Sequence, residues 1–277
     1  MIILSLVNRR LTTLEGVVFQ EDLKVLYLGR NRLTSLEGVW FPENLEKLYL
    51  GGNRLTSLKG IRFPENLKVL DLSINLLTCL EGVRFPENLK KLWLKHNQLT
   101  SLEGVRFPEN LEELDLNNNR LTSLEDAVFP ENLKKLWLYE NRLTSLEGVV
   151  FPENLEVLYL HNNQLTSLEG VPENLEKLSI SWNLLTSLEG VRFPENLQEL
   201  YINNSVPKKG SWAPYRIRWF RKTSIETFDN WFQEAQVNRD AYLGYYASVI
   251  QNWYRPILYR PGGPMFKKAY SSFQTMV

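Results

Sequence analysis

An asparagine recurs at Asn31, Asn53, Asn75, Asn97, Asn119, Asn141 and Asn163, each 22 residues after the last, and again at Asn183 after a shortened interval of 20. A fixed period of this size requires one small structural unit per repeat, each stacked on the next. Every one of these asparagines closes an LxxLxLxxN run, as in Leu45-Glu46-Lys47-Leu48-Tyr49-Leu50-Gly51-Gly52-Asn53. Residues two apart on a strand share a face, so Leu26 and Leu28, Leu48 and Leu50, and their equivalents down to Leu200 and Ile202 point into one interior. The residue between them points out. A single 22-residue turn cannot bury its own leucines, but about ten stacked turns give a continuous core, to which each buried leucine contributes about 1.5–3 kcal/mol. The asparagine stands where the chain leaves the strand. Its amide can satisfy turn backbone groups that lack sheet partners, so the ladder Asn31 to Asn183 is expected to be buried and structural.

The L-x-x-L-x-L-x-x-N-x-L wording resembles that of leucine-rich repeats, and the resemblance covers residues 1–205. It implies an α/β solenoid, a horseshoe with a parallel concave β-sheet, right-handed like other parallel crossovers. Between strands each turn reads Leu-Thr-Ser-Leu-Glu-Gly-Val-x-Phe-Pro-Glu-Asn, with only eight residues between Leu33 and Pro42. Proline holds its predecessor in extended geometry, so the outer side is expected to be extended or single-turn 3-10 segments. That agrees with the short repeats of the phosphatase-regulator and bacterial-effector subclasses, which this wording resembles. LTSLEGVxFPENL is also similar to repeats carried by large DNA viruses of amoebae, for which host-interaction and virion roles are both conceivable.

Phe19, Phe41, Phe63, Phe85, Phe107, Phe129, Phe151 and Phe193 occupy one phase and are expected to stack as a spine under the outer side. The glycine slot, from Gly16 to Gly190, is filled once by Asp126, a residue type that tolerates positive φ, and a left-handed backbone is expected there throughout. The shortened repeat at Gly170-Val171-Pro172 lacks the phenylalanine and should change the local curvature.

The formal net charge of zero hides an asymmetry: residues 1–205 hold 21 Lys+Arg against 28 Asp+Glu, and residues 206–277 hold 11 against 4. The chain therefore reads as an acidic solenoid, 1–205, followed by a basic, aromatic-rich helical cap or tail, 206–277. In the tail, Thr223-Ser224-Ile225-Glu226 fits a capping box, and two amphipathic helices are expected, the second stopped at Arg255-Pro256. A strip carrying Lys208, Lys209, Arg216, Arg218, Arg221 and Lys222 among aromatics and no acid is expected to dock on the acidic solenoid. An anionic membrane surface or nucleic acid is the alternative partner for it. The first turn carries Arg9 in the asparagine slot, and no capping segment stands before it. Ile2 to Leu6 is thus a candidate self-association edge. The lone cysteine, Cys79, takes a slot that is Ser in most turns and is expected to be a small buried filler, in a reducing compartment. With no signal peptide and no long apolar run, an intracellular, cytoplasmic protein is expected, in the virion or host cytoplasm if viral.

Motifs for chemistry are missing: no GxGxxG after a strand, no Walker loop, no CxxC and no HExxH. His96 and His161 project from strands three turns apart, roughly 14 Å, too far to share a metal. The bacterial effectors with similar repeats that act as ubiquitin ligases need a catalytic cysteine in a large C-terminal domain, whereas the cysteine here lies in the fourth turn. A non-enzymatic chain without cofactor or metal is expected. The outward residue of each LxL is aromatic in six of ten turns, at Tyr27, Tyr49, Trp93, Trp137, Tyr159 and Tyr201. With His96, Tyr139, His161 and Trp182 they make a candidate face for a protein partner, since Tyr and Trp carry much of the energy of protein interfaces. The second reading is a structural or assembly component that uses the N-terminal edge strand and the basic tail.

Overall fold

The leucines in each LxL do what their spacing requires. A computed structural model describes residues 1–185, 193–202 and 217–218. It forms β1 (Ile2–Ser5), β2 (Leu23–Tyr27), β3 (Lys47–Tyr49), β4 (Val69–Asp71), β5 (Lys91–Trp93), β6 (Glu113–Asp115), β7 (Lys135–Trp137), β8 (Val157–Tyr159), β9 (Lys177–Ser179), β10 (Glu199–Ile202) and β11 (Ile217–Arg218). The first ten pair in parallel in chain order, and the central leucines meet in register, Leu48 with Leu70 and Leu92 with Leu114. Inter-turn bonding continues past the strands, through Leu72 N to Trp93 O at 2.8 Å and Ile74 N to Lys95 O at 2.8 Å. Two further residues of each turn are therefore held in the same register.

The chain divides into two units, Met1–Lys222 and Thr223–Val277, and the expected cap helices lie outside the described residues. The sheet holds the ten parallel strands that ten turns imply and one strand more. An eleventh, β11, runs antiparallel to β10 and pairs Tyr201 with Arg218 and Ile202 with Ile217. Strand β10 has peptide groups left over on its outer side, and a returning segment satisfies some of them.

Each ladder asparagine ties two turns together. Asn97 is 7 % exposed. Its Nδ2 donates to Leu94 O of its own turn at 2.9 Å and to Leu72 O of the turn before at 3.0 Å. Its Oδ1 accepts Leu77 N of that earlier turn at 3.0 Å. The pattern repeats at each position from Asn53 to Asn163, and Asn183 keeps it across the shortened repeat. Arg9 has no such amide. Asn31 serves the first turn instead, accepting Arg9 N and Leu11 N and donating to Leu6 O.

The outer side is built of extended segments and two reverse turns per repeat, closed for example by Val39 N to Leu36 O and Leu45 N to Pro42 O, with no helix among the described residues. A second asparagine, from Pro-Glu-Asn, forms an exposed ladder there: Asn66 Nδ2 donates to Glu43 O and Asn88 Nδ2 to Glu65 O, both at 2.9 Å. The phenylalanines stack, with Phe107 and Phe129 at 6.3 Å and Phe129 and Phe151 at 5.8 Å between ring centroids.

Two expectations about single positions fail. Asp126 is not left-handed, although Gly104 (φ 68°) and Gly148 (φ 76°) on either side are. The same turn bond, Ala127 N to Leu124 O at 2.9 Å, closes there with negative φ, as a type I turn allows for any residue. Cys79 is exposed, not buried. Its slot faces water because in neighbouring turns the hydroxyl found there accepts the N–H two residues on, Ser35 from Glu37 and Ser101 from Glu103, both at 2.9 Å.

The shortened repeat is absorbed on the outer side, since Leu158 still pairs with Leu178 and Tyr159 with Ser179. The turns close in at Gly170, where an added Cβ would stand 2.3 Å from Leu146 O, whereas at Gly148 it would meet nothing within 4 Å. Both glycines have positive φ. Gly148→Ala should therefore cost only the backbone penalty, about 1 kcal/mol, and Gly170→Ala roughly 1–3 kcal/mol more through the clash. Urea unfolding of the two variants checks this, and equal losses would show that the shortened turn relaxes.

Candidate functional site

Parallel pairing sets the outward residues of successive strands side by side, about 4.8 Å apart. From β2 to β10 this row reads Tyr27, Tyr49, Asp71, Trp93, Asp115, Trp137, Tyr159, Ser179, Tyr201. A second row on the same face, two residues on, reads Gly29, Gly51, Ser73, Lys95, Asn117, Tyr139, His161, Ser181.

The aromatics gather into two groups. Tyr27 stacks on Tyr49 at 4.6 Å, and Tyr49 reaches over Asp71 to Trp93 at 6.4 Å. At the other end Tyr139 stacks on His161 at 4.3 Å, Tyr159 tilts against His161 at 6.2 Å, and Tyr159 meets Tyr201 edge-on at 6.4 Å across Ser179. Trp137 stands between the groups and is half-buried, as are Trp93 and the tyrosines. His96 and Trp182 belong elsewhere. They occupy the residue just before the ladder asparagine, where the backbone is left-handed (φ 53° and 57°), and both are exposed, Trp182 at 55 %. Arg30, Ile74, Asn118, Glu140 and Asn162 take the same position in other turns. Of the basic strip only Arg218 is described, by its backbone in β11; Lys208, Lys209, Arg216, Arg221 and Lys222 lie outside the described residues.

Charges along the sheet are mostly paired. Glu46 bridges Lys24 (3.2 Å) and Lys68 (2.9 Å), and Glu113 bridges Lys91 (3.1 Å) and Lys135 (3.0 Å). Hydrogen bonds from Lys68 and Lys24 hold the Glu46 carboxyl below its usual range. At Glu113 burial pushes the pKa up, but Lys135 and Lys91 outweigh it and the net shift is downward. His161 is shifted down by burial, so it stands neutral at pH 7, with Nδ1 3.1 Å from Ser179 Oγ.

Asp115, like Asp71 two strands before it, stands outside this pairing, and it was not among the candidate binding residues for this face. It is 9 % exposed and lies in no ion pair. Its Oδ1 accepts Asn117 Nδ2 and, at 3.2 Å, Asn117 N. Burial raises its pKa above the ordinary 3.8, against a smaller downward pull from the Asn117 backbone and then from Lys95 and His96. Two buried side-chain atoms among the described residues have no hydrogen-bond partner, Ser73 Oγ and Asn117 Oδ1. Each lies two residues after an outward aspartate. The signal for them in the sequence was the second outward row, which the LxL wording alone does not display.

The described residues hold no group of three His, Cys, Asp or Glu side chains able to bind a metal, and no helix long and apolar enough to cross a membrane. Sequence profiles described as "Leucine Rich repeats (2 copies)" match residues 87–128 and 131–173, and one described as "Leucine rich repeat" matches 43–99. Residues 43–173 are leucine-rich repeats. A search of curated proteins finds no match. Among solved structures the leucine-rich repeat solenoid is similar to YopM from Yersinia enterocolitica, at 27 % identity and TM-score 0.54, over 67 % of this chain and 40 % of that one. It is also similar to internalin C2 from Listeria monocytogenes, at 27 % and 0.54, over 65 % of this chain and 80 % of that one. For the Listeria internalin InlF the values are 22 % and 0.56, over 64 % and 53 %, a likeness of fold. The chain thus spans well under two thirds of YopM and of InlF.

A raised folded-state pKa means that the protonated acid is favoured on folding. The stability it gives is present below the unfolded pKa and is lost as pH rises through the higher folded one, leaving a penalty at pH 7. Asp115→Asn keeps an oxygen for Asn117 and removes the buried charge. It should raise the melting temperature at pH 7 by roughly 2 °C or more, with the gap closing as pH falls toward the ordinary value of 3.8. A melting series from pH 7 to about 3.5 checks it.

Proposed function

We propose that the protein is a non-enzymatic protein–protein interaction module whose partner docks across the outward face of the sheet. The observation that carries this reading is the row of half-buried aromatics, Tyr27, Tyr49, Trp93, Trp137, Tyr159 and Tyr201, held in register on one surface of rigid strands. Rigid Tyr and Trp side chains supply contact area at small entropic cost, which suits the centre of an interface. The contacts of Tyr27 with Tyr49, Tyr49 with Trp93 and Tyr159 with Tyr201 pre-order these parts of the surface. That lowers what an incoming partner must organise.

A second reading, assembly through the edge of the sheet, is favoured by β1. Ile2 and Ile3 are 40 % and 52 % exposed there, and among the described residues β1 pairs only with β2. An apolar strand with unpaired peptide groups is a template for another strand. An intracellular site of action, with or without a virion role, fits either reading and distinguishes neither.

Trp93→Ala combined with Trp137→Ala should abolish capture of the native partner while the circular dichroism spectrum and melting point stay close to wild type, because neither ring is part of the leucine core. If capture survives, the sheet face is not the working surface. Ile3→Lys should then dissociate an oligomer seen by light scattering.

A further inference from the structure

The first turn is where the molecule leaves most apolar surface in water. Six of the thirteen large apolar residues exposed among the described residues stand in it: Met1, Ile2, Ile3, Val7, Val17 and Val18. Leu4, Leu6 and Leu11 are only part-buried, whereas Leu26, Leu28 and Leu33, which hold the same places one turn on, are 0 % exposed. The backbone is open on the same side. Leu6 N and Asn8 N donate to Tyr27 O and Gly29 O of the second turn, so by the alternation of a strand the N–H and C=O groups of Ile3, Ser5 and Val7 point away from it. At the other end of the sheet β11 answers the edge of β10, and among the described residues no strand answers that of β1.

We infer that a second copy of this chain covers that edge, its β1 running antiparallel to this one about a two-fold axis beside Leu4. Symmetry and the leucine pattern set the direction. A two-fold axis normal to the sheet brings two copies of one edge together antiparallel and keeps both inward faces on the same side, so Ile2, Leu4 and Leu6 of each copy continue the core of the other. A parallel pairing would turn one sheet over and put its leucines on the outward face of its neighbour. Of the antiparallel registers, the one centred on Leu4 sets Ile3 opposite Ser5 and Met1 opposite Val7, so every edge-pointing residue of the strand meets another.

The charges favour a second copy over an unrelated strand. Arg9 and Arg10 follow β1, Glu21 and Asp22 precede β2 at the opposite end of the same edge, and all four are exposed and in no ion pair among the described residues. Antiparallel pairing brings the arginines of one copy toward the acids of the other, and the two-fold axis makes the match twice. Arg9 also stands in the ladder slot, from which the Asn31 side chain donates to Leu6 O of the turn before. The same direction from Arg9 leads across the open edge. As β10 is covered and β1 alone is open among the described residues, the assembly closes at two copies.

The pairing rests on the edge-assembly reading and adds to it the partner and its direction, so the two can fail separately. Sedimentation equilibrium of the full chain should give a mass near twice 32.5 kDa, with a dissociation constant in the micromolar range. Arg9→Glu with Arg10→Glu, and separately Glu21→Arg with Asp22→Arg, should each weaken it by about tenfold or more, melting curves verifying that both variants fold. All four substitutions together reverse both sides of each contact and leave the net charge at that of the wild type. That variant should return to within about threefold of the wild-type constant. A chain that stays monomeric up to about 100 µM overturns the second copy as occupant and leaves the edge to a foreign strand, and a mass that goes on rising past two copies overturns the two-fold closure. A dimer that Ile3→Lys dissociates but that the charge reversals leave unweakened, or that the four substitutions together fail to restore, overturns the antiparallel pairing while the edge reading stands. A dimer that Ile3→Lys leaves intact overturns the pairing and the edge reading together.

Discussion

The buried asparagine amide is the interaction on which the structure depends. A leucine core has no direction, and stacked strands can slide or twist past one another at little loss of apolar burial. Each ladder asparagine removes that freedom, because one side chain of fixed length must reach three backbone groups in two turns at once, as Asn97 reaches Leu94 O, Leu72 O and Leu77 N. Failure of any of the three leaves a buried donor or acceptor unsatisfied, which costs about 1–3 kcal/mol. The residue before the asparagine takes up the backbone strain. It is left-handed in turn after turn even where it is Ile74 or Trp182, residues for which that conformation is unfavourable by about 1–2 kcal/mol.

With inward positions committed to leucine and turn positions to asparagine, glycine, serine and proline, the outward rows are where the turns can differ at little structural loss. Tyr27, Tyr49, Asp71, Trp93, Asp115 and Trp137 occupy positions equivalent by symmetry yet differ from one another, while the leucines on either side of them do not. The sheet converts that freedom into a surface of fixed geometry. A half-buried aromatic held in register is available to a partner without first being ordered. Asp115 shows the opposite balance, a carboxylate kept where burial disfavours its charge.

The parallel strands, the inward leucines, the buried ladder and the phenylalanine stack were all legible in the sequence, because each follows from period 22 combined with the two-residue alternation of a strand. What was not legible depended on backbone geometry with no residue-type signature. The left-handed column before each asparagine mixes Gly52, Asn118 and Asn162 with Arg30, Ile74, His96, Glu140 and Trp182, so no one residue type marks it, and His96 and Trp182 read as face residues when they sit at the turn. Asp126 was assigned by analogy to its glycine column, but a turn that needs the same hydrogen bond can be made with either sign of φ. Cys79 was expected to be a small buried filler, but its slot is set by a hydroxyl position that faces water. The outer ladder from Asn44 to Asn174 was visible as a repeated letter; its acceptor, a carbonyl of the preceding turn, was not.

The free energy of unfolding of Asn97→Leu in urea tests the central claim most directly. Leucine matches the volume of the core but can satisfy none of the three backbone groups, so a loss of roughly 3 kcal/mol or more is predicted. A value within about 0.5 kcal/mol of wild type, the range of an ordinary surface substitution, would contradict the account and mean that leucine burial alone holds the turns together.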